Sequence, residues 1–100
     1  MGERLMYGIL IELCKDELLR EFGDSYQVAY DELRSELQQF EFEPVADNLY
    51  INTQERGSLA TVYQAVNRLT SIEWLKNCVR FVKVCRIDEL SDFSEIVKGR

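Results

Sequence analysis

A continuous apolar run that carries a carboxylate near its end constrains the fold of this chain more than any other feature. The run MYGILIEL covers residues 6–13 and includes Glu12. An uninterrupted apolar run is typical of a strand that is covered on both faces of its sheet. A carboxylate in such a strand is costly unless it is paired, binds a metal or lies at the strand's end. Glu12 is therefore either a chemical centre or a charge tolerated at the end of a strand.

The spacing of apolar residues predicts the order strand, helix, strand, strand, helix, strand. The predicted elements are a strand at 6–13, a weak helix at 15–22 ended by Gly23, an amphipathic helix capped by Asp24 and reaching Phe40, a hairpin of strands 42–46 and 49–51, a helix from a Ser58 cap to Leu69, a short connection at Trp74 and Leu75, a strand at 79–87, and a short terminal helix or turn at 92–95. Pro44 confines its strand to a sheet edge or a bulge, because it cannot donate a ladder hydrogen bond.

This order predicts an α+β protein with a ferredoxin-like βαββαβ sandwich, in which two helices cover one face of an antiparallel sheet. We expect one domain at residues 6–97, an N-terminal extension at 1–5 and a C-terminal tail at 98–100. Both residue sets of the first strand are apolar, and the helices bury only one of them. A second copy of the chain is the simplest cover for the other set, which predicts a back-to-back homodimer.

Charge and residue content exclude several functional classes. The chain has 12 basic and 18 acidic residues, a net charge of -6, which argues against indiscriminate binding to nucleic acid. It has no histidine, so the usual general base, the Ser/His and Cys/His pairs and most zinc sites are absent. Catalysis would have to use carboxylates with a metal, or Tyr, Lys and Arg.

Cysteine content and hydropathy predict the compartment. The three cysteines are odd in number and lack C-x-x-C spacing, which argues against a disulfide framework or a redox motif. No apolar stretch approaches the ~20 residues that span a membrane, and no signal peptide is visible. We therefore expect a reduced, cytoplasmic protein without a membrane partner.

A basic cluster and three tyrosines are candidate RNA contacts. The basic residues on or beside the last strand are Lys76, Arg80, Lys83 and Arg86. They suit phosphate contacts, although solvated edge charges would give the same pattern. Tyrosines can stack on bases of single strands. The periodicity assigns Tyr7 and Tyr63 to the core and leaves Tyr50 undetermined, so Tyr50 is kept as a candidate.

Several segments together resemble the virulence-associated protein D (VapD) family. Residues 6–13 are similar to the family's first strand, Met-Tyr-Ala-Ile-Ala-Phe-Asp-Leu, and the resemblance spans roughly residues 6–97. The other similar segments are Ser25-Tyr26, Ala29-Tyr30, Leu49-Tyr50, residues 63–69 (YQAVNRL), Trp74, Val79-Arg80, Arg86-Ile87 and Ser91-Asp92-Phe93.

The resemblance implies a ferredoxin-like homodimer related to small CRISPR-associated nucleases, and an mRNA-interfering endoribonuclease that is often the toxin of a toxin–antitoxin pair. It places the catalytic acid at Glu12, where most members have Asp. Some members carry another acid where this chain has Cys14, and the family often has Asp after Arg80, where this chain has Phe81. Three acidic positions of the family are thus changed or lost.

Two functions follow as expectations. In the first, Glu12 from each of two copies shares a divalent metal, with magnesium as the first choice, and the dimer cleaves RNA. In the second, the altered acids leave a catalytically weakened dimer that binds a cognate antitoxin or another regulatory protein. For Glu12 itself, the alternative remains a structural charge at the strand end, which neutralisation by Arg80 or Arg86 would indicate.

Overall fold

A computed structural model of the chain describes residues 6–46, 48–52 and 59–87. Its elements are β1 (Met6–Leu13), α1 (Lys15–Phe22), a 3-10 turn (Gly23–Ser25), α2 (Gln27–Gln38), β2 (Phe42–Ala46), β3 (Leu49–Asn52), α3 (Leu59–Leu69), α4 (Leu75–Cys78) and β4 (Val79–Ile87). The expected extension at 1–5, the Ser58 cap and the terminal helix or turn at 92–95 lie outside the described residues.

The four strands form one sheet in the order β2-β3-β1-β4, and every neighbouring pair is antiparallel. This is the ferredoxin-like arrangement that the sequence predicted. Each of the two long connections, β1 to β2 and β3 to β4, carries helices across the sheet. Pro44 lies in β2, which is an edge strand, as its missing N–H requires.

One face of the sheet and the helices enclose the main core. Ile9 and Ile11 of β1 point into it and are almost completely buried. The helices contribute residues at three- and four-residue steps, which place an apolar stripe against the sheet. Their buried residues are Leu18 of α1, Ala29, Leu33 and Leu37 of α2, Val62, Ala65 and Leu69 of α3, and Leu75 and Cys78 of α4.

The other face of β1 carries Gly8, Leu10 and Glu12, because side chains alternate along a strand. Leu10 and Glu12 are half-buried there. The structure thus puts Glu12 on the side of the strand that the sequence assigned to it, away from the helices.

Two local predictions were wrong. Asp24 does not cap α2: it lies in the 3-10 turn, and Tyr26 precedes the helix without a side-chain capping bond. Tyr63 is not a core residue, since 67% of its surface is exposed. The inward stripe of α3 is narrower than the spacing of its apolar residues suggested, and Tyr63 lies beside this stripe.

Candidate functional site

Glu12 lies at a change of register between β1 and β4. It pairs with Phe81, whereas the next residue, Leu13, pairs with Val79. Arg80 is the extra residue of this bulge and has no residue opposite it. A bulge turns a side chain away from the regular alternation of its strand. This geometry explains how Arg80 reaches the carboxylate of Glu12.

Arg80 is a cationic neighbour of the Glu12 carboxylate at the end of the sheet. Arg80 Nη1 lies 3.9 Å from Glu12 Oε2, and the side chains are 64% and 37% exposed, respectively. An exposed ion pair of this length contributes about 0–1 kcal/mol to stability. Neither group is therefore locked in the pair, and both remain accessible to a ligand that approaches the sheet end.

Glu12 can supply one carboxylate per chain to a metal ion. Among residues 6–46, 48–52 and 59–87, no group of three or more Asp, Glu, Cys or His side chains is placed to hold an ion. Magnesium keeps several waters and binds proteins through one or two carboxylates. The donor chemistry of Glu12 suits such an ion if a second carboxylate joins it, for instance from a second copy of the chain.

The four candidate phosphate contacts do not form one patch. Lys83 lies opposite Leu10 on the same face as Glu12, and its ammonium sits 4.7 Å from the centre of the Phe81 ring. Arg86 lies opposite Tyr7, on the face of the helices, and Lys76 is exposed on α4. Of these four residues, Arg80 contacts Glu12, and Lys83 lies on the same face of the sheet.

The tyrosines differ from one another in burial. Tyr50 is 5% exposed and packs in the main core, so its ring is covered by protein on the helix side of β3. Burial raises the pKa of the Tyr50 hydroxyl, while the charge of Arg34 lowers it and Tyr30 raises it. Tyr50 is therefore protonated at neutral pH and lies close to Arg34. Tyr7 is half-buried against the core.

A cavity between α2 and the strands β2 and β3 was not anticipated from the sequence. Its volume is about 510 Å³, and its lining includes Tyr30, Asp31, Arg34 and Tyr50. Arg34 Nη2 donates to Asp31 Oδ1 at 3.1 Å. The sequence showed Asp31 and Arg34 only as charges three residues apart on one helix, and nothing in the periodicity indicated that the hairpin would leave a hollow beside them.

Relatives of known name match almost the whole chain. A Helicobacter pylori protein named Endoribonuclease VapD is 41% identical over 94 residues, which make up 94% of this chain and 100% of that protein. A Dichelobacter nodosus protein of the same name is 37% identical over 94 residues, 94% of this chain and 99% of that protein. A third of that name, from Haemophilus influenzae, is 33% identical over 95 residues, 94% of this chain and 100% of that protein. No family model matches the chain.

Proposed function

The chain belongs to the VapD family, and from this membership we propose that it is an endoribonuclease whose reaction centre is Glu12. The names of the relatives support RNA cleavage as the reaction. The observation that carries the assignment to Glu12 is its position: a half-exposed carboxylate at the end of β1, with Arg80 beside it at a bulge. In this proposal the enzyme acts in the cytoplasm on mRNA, as the toxin partner of a protein antitoxin.

The active unit in this proposal is a homodimer formed through the sheet face that carries Glu12. That face presents apolar and half-buried residues of β1 and of its neighbours, among them Leu10, Leu49 and Phe81. In such a twofold interface residue i of one copy meets residue j of the other, and only residues beside the axis meet their own copies. The proposal therefore places the twofold axis beside Glu12. Two Glu12 carboxylates, with waters and the RNA phosphate, then suit a magnesium ion, which binds proteins through one or two carboxylates.

The chain's own groups have separable tasks. When bound, the ion would supply charge neutralisation for the phosphate and a lowered pKa for an attacking water. Arg80 binds the scissile phosphate and stabilises the negative charge that grows on its oxygens. Because Arg80 is held only weakly by Glu12, an RNA phosphate can attract it and leave the carboxylate free for its ligand. Lys83 adds a second positive charge on the same face.

Cleavage of a labelled RNA, with magnesium or with a chelator, tests this proposal. Wild-type protein should cut only with magnesium, and Glu12→Gln should lower the rate at least about 100-fold, the order expected when the reacting geometry is lost. Glu17→Gln is the matched control, because Glu17 is also paired with an arginine and is 38% exposed. Cleavage that persists in Glu12→Gln would contradict the assignment.

A second candidate function is a protein-binding module without catalytic activity. The contact of Arg80 with Glu12 favours it, since the arginine already compensates the charge that a metal would otherwise neutralise. In this case the wild-type dimer folds normally and cuts no RNA, while it still binds its antitoxin. The same assay, joined to a measurement of dimerisation, separates the two functions.

A further inference from the structure

The cavity between α2 and the β2–β3 strands has the size of a ligand site. Its volume of about 510 Å³ falls within the range of roughly 300–1,000 Å³ that is typical of small-molecule pockets. Its lining is mostly polar and includes a guanidinium, a carboxylate, two tyrosines and two side-chain amides, from Arg34, Asp31, Tyr30, Tyr50, Gln27 and Asn48.

The charges of this lining cancel. Arg34 and Asp31 form an ion pair at 3.1 Å, and both side chains are about half exposed. The chain as a whole carries a net charge of -6, which does not favour the long-range approach of a free anion. A neutral ligand with both hydrogen-bond donors and acceptors suits these groups better than a phosphate does, because Asp31 would repel an anion bound to Arg34.

The cavity lies close to the end of β1. The backbone N–H of Ile11 donates to the carbonyl oxygen of Asn48 at 2.8 Å, and Asn48 is one of the lining residues. Ile11 directly precedes Glu12 in β1. Because Asn48 bonds to the residue before Glu12, the cavity and the proposed reaction centre lie at the same end of the sheet. They belong to neighbouring strands, which are about 4.8 Å apart, and they lie on opposite faces.

We propose that this cavity binds one nucleobase of the RNA substrate, next to the nucleotide whose phosphate lies at Glu12. The Arg34–Asp31 pair reads the edge of the base, with the guanidinium as donor and the carboxylate as acceptor. Tyr30 supplies an aromatic wall, and Tyr50, which is 5% exposed, contributes only the small part of its side chain that reaches the lining. The inference rests on the proposed function, and it adds a determinant of the base preference at the cut.

Direct binding of mononucleotides tests the cavity without requiring cleavage. The probes are the four nucleoside 5′-monophosphates and, as a phosphate without a base, ribose 5-phosphate, each titrated while amide chemical shifts are recorded. At least one nucleotide should bind about tenfold more tightly than ribose 5-phosphate, with shifts around Arg34 and Tyr50. Arg34→Ala should weaken that binding about tenfold.

Arg20→Ala is the matched control for Arg34→Ala. Arg20 pairs with Glu17 three residues away on α1, an exposed ion pair of the same kind outside the cavity. The substitution Arg20→Ala should therefore leave nucleotide binding unchanged. Arg34→Lys retains the charge but loses the planar fork, so it should lower the discrimination between bases.

The outcomes distinguish this inference from the proposed function. Equal binding of ribose 5-phosphate and all four nucleotides would overturn it, as would shifts confined to other surfaces or an unchanged affinity in Arg34→Ala. Base-selective binding by a protein that never cuts RNA would support the cavity and refute the nuclease. In an active enzyme, Arg34→Ala should change the bases flanking the cut and raise KM more than it lowers kcat.

Discussion

Phe81 lies directly opposite Glu12 in the antiparallel register of β1 and β4. Residues in this relation have Cβ atoms about 4.5–5.5 Å apart and share one face of the sheet. A carboxylate at position 81 would therefore stand beside that of Glu12 within a single chain. The aromatic ring found here instead carries the ammonium of Lys83 over its face.

Phe81→Asp should create a metal site within one chain. Two adjacent carboxylates repel each other without a metal, so we expect the free energy of unfolding to fall by roughly 1 kcal/mol beyond the loss of the ring contacts. Magnesium should restore part of that loss, because a ligand that binds only the folded state stabilises it. Urea unfolding with and without magnesium measures both effects.

Phe81→Asn separates the charge from the loss of the ring. It removes the same aromatic contacts and adds no negative charge, so magnesium should stabilise it less than it stabilises Phe81→Asp. An identical magnesium response in the two variants would show that the carboxylate at position 81 does not bind the ion.

Asn52→Ala should destabilise the end of β3. Asn52 is 3% exposed, and its Nδ2 donates to the carbonyl oxygen of Phe40 at 3.1 Å. Removing the amide leaves that carbonyl without its donor in a part-buried site, which costs about 1–3 kcal/mol. Urea denaturation measures the change. Asn67→Ala, at an exposed position of α3, should stay within about 0.5 kcal/mol of wild type.

Gly23→Ala should destabilise the chain through its backbone alone. Gly23 ends α1 with φ 60° and ψ -142°, a conformation that residues with a Cβ rarely adopt. A Cβ built there meets no atom within 4 Å, so crowding makes no contribution. We expect a loss of about 1–3 kcal/mol in thermal or urea unfolding. Ser35→Ala, on the exposed side of α2, is the control, and an equal effect of the two substitutions would exclude the backbone explanation.

The Cys78 thiol should make stability depend on alkaline pH. Burial raises its pKa, and the nearby Glu21, Glu17 and Cys14 raise it further. The native state therefore holds the proton more strongly than the unfolded chain does. The contribution of Cys78 to the free energy of unfolding is complete below the ordinary thiol pKa of about 8.5. It is lost as the pH rises towards the raised pKa of the native state.

Unfolding of wild type and Cys78→Ala at pH 7 and pH 9.5 checks this dependence. The wild type should lose more stability between the two pH values than Cys78→Ala does. Cys85→Ala, which removes a half-buried thiol of β4, is the control and should follow the wild type. A pH dependence that is the same in all three proteins would assign it to other groups.

The arrangement of the strands was predictable because it depends on the residue types and apolar spacing within each short segment. The apolar run of β1, the proline of β2 and the β-branched residues of β4 gave the correct element order and edge strand. Gly23 ended α1 as predicted. The predicted cap at Asp24 and the predicted burial of Tyr63 were wrong, because a capping residue and a helix face depend on where the neighbouring segments pack.

Within the described residues, no helix is long and apolar enough to cross a bilayer.

The candidate site was only partly accessible to sequence reasoning. The cost of burying a carboxylate singled out Glu12, and alternation along the strand gave the correct face. Neutralisation of Glu12 by Arg80 was one of the alternatives that the sequence left open, but the change of register that makes the contact possible does not show in the composition of β4. The cavity beside Arg34 likewise arises from the packing of a hairpin against a helix, which brings together residues distant in sequence.

The bulge beside Glu12 separates two stretches of β4 that pair with β1 in different registers, Val79 on one side and Phe81 to Ile87 on the other. A shift of one residue along a strand normally turns every later side chain to the opposite face. Here the extra residue, Arg80, absorbs that shift, so Phe81 to Ile87 keep one register with β1 while Val79 pairs with Leu13. An insertion or deletion of one residue at this end of β4 should therefore disturb the sheet less than one in the middle of the strand.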